Sequence, residues 1–458
     1  MKANINLIIA INIAALMVLM DLAAVNIALP SIRQYFEISV TSVSLILMTS
    51  MLTATGSALI MGKIIESYHP GKILFFAFFV FGLTSGLTAL SSQFYYIIPL
   101  RIIQGVSEAA LYVIGPALIK KYIQQNIQQK QYGIWMMSCG LGISLGPLLG
   151  GLILRYFSWN YVFLINVPLA AIGLVFSWKL IKQLDFQKNK NPFDYRGAIY
   201  SFLFLSFLII FFNLLSILNI SSLLLWGAAF FSIIFLYLFI QRERKTLKPI
   251  IDLELFKINN FRLANIGFYL FFFINVGSRF LRPFYFEEAR GYSASLSGIL
   301  MMVSPAIMLV IALYIHRFEK YFTTRQLVIG GNILLSISML MFAFWNQSSS
   351  LLFIISSMII LGFAMGLFYP TSTQLGMKIL PNESHGGGSA IISISKSFGK
   401  LMGVLIFGLL FKLFYNLLLE QKTTYITLES KAIQYVFFSA FLVSLINTLI
   451  SFHIKKTH

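Results

Sequence analysis

Charge is scarce in this chain, and negative charge scarcest: of 458 residues, 11% are charged, with 15 acidic against 34 basic. Water-soluble domains carry about 25% charged residues. A soluble fold of this length cannot hide a chain that is 58% hydrophobic. Cysteine is almost absent. Cys139 stands alone inside an apolar segment, so no internal disulfide can form. The histidines (His69, His316, His385, His453, His458) are scattered over loops and ends, and no Cys–His cluster suggests a metal site. No GxxxxGK[ST] sequence occurs, which argues against ATP chemistry within the chain. Long polar stretches are also missing. The loops near 242–261 and 415–431 are too short for a nucleotide-binding or extracellular catalytic domain, so the sequence does not read as an enzyme.

What is present is apolar length. Mean hydropathy is +0.83. Continuous apolar segments, rather than the alternation of a barrel strand, exclude an outer-membrane barrel. Each is close to the 20 or so residues that a helix needs to cross a bilayer. Fourteen such segments run from about 5–30 to about 432–452, including 96–119, 132–154, 159–180 and 262–286. The start, Met1-Lys2 followed by an apolar run, has the look of a signal sequence. The run holds Asp21 and continues to Pro30, so it reads as a first transmembrane helix.

The net charge of +19 would suggest nucleic acid in a soluble protein. Here it follows the positive-inside pattern, and no nucleic-acid partner is expected. With the N-terminus inside, about two thirds of the 34 basic residues fall on the cytoplasmic side. The opposite side holds Arg33, Arg155, Arg290, Lys422 and Lys431. An even number of spans then puts both termini in the cytoplasm.

Two acids lie deep in apolar segments, Asp21 and Glu108. A carboxylate is expensive there, so both are candidate functional residues. Helix direction places Asp21 and Arg101 at similar depth, where an ion pair would lower the cost of burial. Arg101, Gln104 and Glu108 share one helical face, expected to point into a cavity with Asn26. Dehydration favours a protonated carboxyl and a nearby cation favours the charged form. A change in that balance would load and release a proton. Asp21–Arg101 also reads as a simple helix clamp, and Glu108 as a charge that selects a cationic substrate.

Gly142, Gly146 and Gly150 recur every fourth residue in the fifth segment, beside Pro147 and Gly151. That spacing allows close helix packing, and the proline bends the helix. The second half is basic within its spans, at Arg279, Arg282, Lys396 and Lys400. Arg282 is near enough to a rim to snorkel. Together these residues leave an anionic or zwitterionic substrate open.

These residues bring a family into view. Asp21-Leu22-Ala23-Ala24-Val25-Asn26-Ile27-Ala28-Leu29-Pro30 resembles the first-helix motif DxTxVNVALP of the fourteen-span drug:proton antiporters of the major facilitator superfamily. Arg101-Ile102-Ile103-Gln104-Gly105 matches their RxxQG motif, and Gly133, Gly142, Gly146-Pro147, Gly150-Gly151 match their antiporter motif. Trp159-Asn160-Tyr161-Val162-Phe163-Leu164-Ile165-Asn166-Val167-Pro168 resembles WRWxFxINxP. Departures stand beside the matches. Glu108 replaces a small residue, and Lys396 stands where Arg is common. In the cytoplasmic gate Gly62 and Lys72 remain, while Glu66 stands at the Asp position, Ser67 at the Arg position, and His69 replaces a glycine.

The resemblance implies an all-α fold. Two six-helix bundles, 1–180 and 262–452, are related by a pseudo-twofold axis along the membrane normal, with an inserted pair of spans at 197–241. It also implies a proton-coupled exporter in a bacterial cytoplasmic membrane. Asp21, Arg101 and Glu108 would couple protons, and Asn26, Gln104, Arg279, Arg282 and Lys396 would line the substrate cavity. No cofactor beyond the proton gradient is needed. Its partners would be the bilayer, protons and a small amphiphilic substrate. An adaptor and an outer-membrane channel would be added in a tripartite pump. A dedicated exporter of a metabolite, such as a siderophore or another anion, is the competing expectation.

Overall fold

A computed structural model of the chain describes residues 5–184, 194–217, 222–246, 253–380, 385–419 and 425–455, and these are helical apart from short connections. Fourteen helices among them are long and apolar enough to span a membrane, as the apolar segments predict. They fall into two compact units, Met1–Leu208 with Gly227–Phe239 and Ile209–Trp226 with Ile240–His458.

The first unit holds α1 (Ile5–Phe36), α2 (Val40–Ser67), α3 (Pro70–Ala89), α4 (Phe94–Tyr122), α5 (Gln125–Tyr156), α6 (Asn160–Leu164) and α7 (Asn166–Gln183). Next come α8 (Tyr195–Ile217) and α9 (Leu223–Lys245), which the two units share. The second unit continues with α10 (Asn259–Phe284), α11 (Ala294–Leu313), α12 (Ile315–Phe318), α13 (Thr324–Ala343), α14 (Leu351–Lys378), α15 (His385–Leu419) and α16 (Tyr425–His453). Local chemistry starts several of these helices. Ser39 accepts from the Ser42 amide at 3.0 Å to cap α2, and Thr323 and Gln326 form a reciprocal capping box on α13.

Two predicted spans are not single α-helices. The sixth breaks at Ile165 into α6 and α7. Pro168 lacks an amide hydrogen and its ring opposes the carbonyl four residues back, so the turn cannot continue undisturbed. The ninth passes Pro283 and ends in a π-turn, Tyr285–Ala289, before Gly291 reverses the chain at φ +66°.

The same packing scheme occurs in both units. In the first, α1 packs on α5, α2 on α4, and α3 on α4 and α7; in the second, α10 packs on α15, α11 on α14, and α13 on α14 and α16. The register agrees residue by residue. Gly142 faces the backbone of Leu16 and Met20, and Gly399 faces that of Tyr269 and Phe273. Gly105 lies against the Ser50 carbonyl, and Gly362 against the Ser304 carbonyl. Asn12 donates to the Ile8 carbonyl at 2.7 Å and accepts from the Ser138 hydroxyl at 2.8 Å. Asn265 repeats this with the Phe261 carbonyl at 2.8 Å and Ser395 at 3.1 Å. Shared side-chain clamps at matching positions mark an internal structural repeat.

Candidate functional site

Asp21 and Arg101 meet inside the first unit. Arg101 donates through Nη1 to Asp21 Oδ2 at 2.9 Å, and both side chains are wholly buried. Four other helices complete the contacts. Asn166 donates to Asp21 Oδ1 at 2.6 Å. Arg101 Nε donates to the Ile46 carbonyl at 3.2 Å, and its guanidinium lies 5.4 Å from the Phe163 ring centre. Gln104 accepts from Arg101 at 2.8 Å and donates to Ser85 at 3.2 Å. The network therefore joins α1, α2, α3, α4, α6 and α7. The break before Pro168 sets Asn166 at the head of α7, where its amide reaches the carboxylate. Charge-assisted hydrogen bonds of this kind offset part of the cost of dehydrating both ions.

Glu108 is different. It shares the face of Arg101 and Gln104 and is 1% exposed, but neither carboxyl oxygen has a hydrogen-bond partner. Towards the end of α4 its surroundings turn apolar, with Leu111 and Ile114 packed among Leu7, Ile11 and Ala14 of α1. The face expected to line a cavity is closed over by α1, α2 and α3, against which α4 packs. Arg101, Gln104 and Glu108 are sealed from solvent as a result, and Asn26 is 3% exposed. The physical reason is helix proximity. Gly105 brings α4 onto the α2 backbone along that face.

The glycine series of α5 packs on the helix that carries Asp21. A Cβ on Gly146 would stand 2.8 Å from the Met20 carbonyl oxygen and 2.6 Å from the Ala23 Cβ. Gly150 faces Ala24 in the same way, Pro147 and Gly151 are buried beside them, and Gly133 meets nothing. The helix continues through Pro147 from Gln125 to Tyr156. Substitutions in this stripe would thus be felt directly at the Asp21 turn.

In the gate segment, Gly62 has open space around it and Lys72 is exposed, while the Glu66 side chain lies outside the described residues. His69 takes a definite role. Its Nδ1 accepts from the Gly71 amide at 3.2 Å to cap α3, and its Nε2 lies 2.9 Å from the Leu184 carbonyl.

In the second unit Arg282 does not snorkel. It is 2% exposed, donates to the Ser278 carbonyl at 3.3 Å, and lies 5.7 Å from the Phe342 ring centre. Its place in α10, one turn inside the π-segment, turns it into the bundle. Arg279 is half-buried and within electrostatic reach of Tyr369. Lys396 is separate from both. Its ammonium donates to Thr373 at 2.6 Å and Ser372 at 3.2 Å. Of the residues predicted for one cavity, Gln104, Arg279, Arg282 and Lys396 therefore occupy three settings: a sealed network around Gln104, the Arg279–Arg282 turn of α10, and Lys396 against α14.

The profile of the Major Facilitator Superfamily matches residues 11–404. The chain belongs to that family. It is therefore a multi-pass membrane transporter and not an enzyme. A riboflavin transporter, RibZ of Clostridioides difficile, is 27% identical over 100% of this chain and 99% of its own length. The multidrug efflux pump LfrA of Mycolicibacterium smegmatis is 24% identical, covering 88% of this chain and 79% of the pump. Among solved structures, a bacterial homologue of the human lysosomal transporter Spinster aligns with a TM-score of 0.71 over 98% of this chain and 96% of that one. At 13% identity it supports the fold alone. The multidrug relatives agree with the resemblance read from the first-, fourth- and fifth-span motifs.

Several members of the facilitator site were not singled out from sequence. Asn166, Ser85 and the Ile46 carbonyl complete the Arg101 network. A signal existed for Asn166, which stands in the INxP stretch of the sixth-span motif, two residues before a proline. None existed for Ile46, whose contribution is backbone. The Asn12 and Asn265 clamps were legible as asparagines at the same spacing before Pro30 and Pro283.

Proposed function

We propose that this facilitator exports small amphiphilic compounds across a bacterial cytoplasmic membrane in exchange for protons, by alternating access, with both termini in the cytoplasm. The observation that carries the reading is the unpartnered, buried Glu108 beside the sealed Asp21–Arg101 pair. An ionised carboxylate without a partner is costly in an apolar setting, so Glu108 favours carrying a proton whenever it is closed in. A conformation that opens α4 to water would release it. Asp21 and Arg101 neutralise one another and couple that step to the α1–α5 contact. Gly142, Gly146 and Gly150 let α5 slide on α1 there, and Gly62, Glu66 and Lys72 form the cytoplasmic gate. The multidrug relatives support amphiphiles as the substrate class.

The test is substrate-induced proton release from inverted vesicles. Glu108→Gln should abolish it across a drug panel while leaving the protein folded. Absence of proton release with any substrate, together with a Glu108→Gln variant indistinguishable from the parent, would sink the coupling claim.

A second reading, a transporter dedicated to one metabolite, is supported by the end-to-end match to a riboflavin transporter and by the intramembrane Arg279 and Lys396. On this reading Arg279→Ala should cost more transport than Glu108→Gln. On the multidrug reading the order is reversed for cationic drugs.

A further inference from the structure

Lys396 sits well inside α15 in a setting that only partly satisfies a cation. The groups facing it are the hydroxyls of Thr373 and Ser372, the rings of Phe268 and Phe272 at 5.4 and 5.6 Å, and Lys400. No acid faces it among the described residues. Lys400 lies 5.2 Å from the same Phe272 ring. Phe272 in turn stacks on Tyr369 with ring centres 4.7 Å apart and planes at 25°. Tyr369 donates to Asn275 at 3.3 Å and is within electrostatic reach of Arg279 and Arg282.

The feature is thus an aromatic stack with two lysines at one end and two arginines near the other. Phe272 itself is covered, but Tyr369, Lys396 and Lys400 are half-buried and Thr373 is exposed. A ligand can reach those four. Lys396, in an apolar bundle with no acid facing it among the described residues, keeps positive charge that hydroxyls and π-faces offset incompletely. A negative group would offset it better, and a flat ring attached to that group would extend the Phe272–Tyr369 stack. A cationic ligand would meet repulsion at the same place. The repeat in the first unit has Cys139 where this one has Lys396, so the shared packing does not demand the charge.

We propose that Lys396, Lys400, Tyr369 and Thr373 form a binding subsite for planar aromatic anions. The subsite rests on the transport reading above, and it gives the transporter a preference by ligand charge. Lys396 takes the anionic group, Thr373 orients the ammonium, and Tyr369 stacks on the ring.

The experiment uses the full chain, purified, with two probes of the same xanthene ring and opposite charge: fluorescein and rhodamine 123, each read by fluorescence anisotropy at pH 8. Fluorescein should bind, and Lys396→Gln should weaken it at least tenfold, while Lys396→Arg stays within about threefold. Tyr369→Ala should weaken it and Tyr369→Phe should not. Rhodamine 123 should bind more weakly than fluorescein and gain, not lose, in Lys396→Gln. Fluorescein binding that ignores Lys396→Gln overturns the subsite, as does equal loss of both probes. Thermal unfolding of Lys396→Arg and Lys396→Gln separates misfolding from lost recognition. Uptake of fluorescein by inverted vesicles is the second readout. Lys396-dependent binding without uptake supports the subsite and counts against the export reading. Uptake indifferent to Lys396→Gln supports export and overturns the subsite.

Discussion

Where α1 of the first unit carries Asp21, α10 of the second carries Ile274; where α4 carries Arg101, Gln104 and Glu108, α14 carries Met358, Leu361 and Met365. These pairs follow from the register of Gly142 with Gly399 and of Gly105 with Gly362. All of these side chains are buried in both units. One helical scaffold has therefore been filled twice, once with an ionic network and once with hydrocarbon. The apolar filling is sufficient for packing, so the ionic one is not required by the fold. A buried ion pair is weak evidence for stability, because well-packed apolar residues can replace it at little cost. The difference between the units thus favours function as the reason for Asp21, Arg101 and Glu108.

The comparison can be broken most forcefully at Arg101. Arg101→Met places the second unit's residue in the first, leaving Asp21 buried without its cation, and should lower stability by about 3–5 kcal/mol. The triple variant Asp21→Ile/Arg101→Met/Gln104→Leu copies the second unit at those three positions and should recover most of that loss, with proton-driven transport still absent. Thermal unfolding in detergent and vesicle transport read the two effects. A triple variant no more stable than Arg101→Met would mean that the network is structural.

Next in size are the shared glycine contacts. Gly146→Ala presses on Met20 and Ala23, and Gly403→Ala presses on the Phe273 carbonyl. Overpacking of this kind should cost each variant about 1–3 kcal/mol. If the units share one scaffold, their melting temperatures fall together. Transport should fall more in Gly146→Ala, whose helix pair holds Asp21. A tolerated Gly403→Ala beside a damaging Gly146→Ala would show that the scaffolds are not equivalent.

The smallest effect sharpens the repeat itself. Asn12→Ala and Asn265→Ala each remove one matched interhelical clamp and should each cost about 1 kcal/mol. Unequal costs, measured side by side by thermal unfolding, would limit the repeat to geometry without shared energetics.

Much of this was readable in the chain. Apolar length gave the spans, since insertion into lipid depends on composition within about 20 residues. The RxxQG match pointed to Arg101, and the depth argument paired it with Asp21. The glycine spacing marked a close contact on α5. The reading went wrong where it assumed that a polar helical face must look into a cavity. Arg101, Gln104 and Glu108 instead face other helices. In a helix apolar nearly all round, no amphipathic stripe declares which side faces a neighbour.

Composition and local pattern by themselves determined that the chain crosses a membrane in helices, how many there are, and which few ionisable residues lie within them. Those properties are local, because each segment must satisfy its own backbone hydrogen bonds in lipid. Only the tertiary structure decided what those residues meet. It gave Asp21 both Arg101 and Asn166, left Glu108 without a partner, and seated Lys396 on two hydroxyls and two rings. Those partners come from helices far apart in sequence, and their meeting depends on the rotation and depth at which each helix packs against the next.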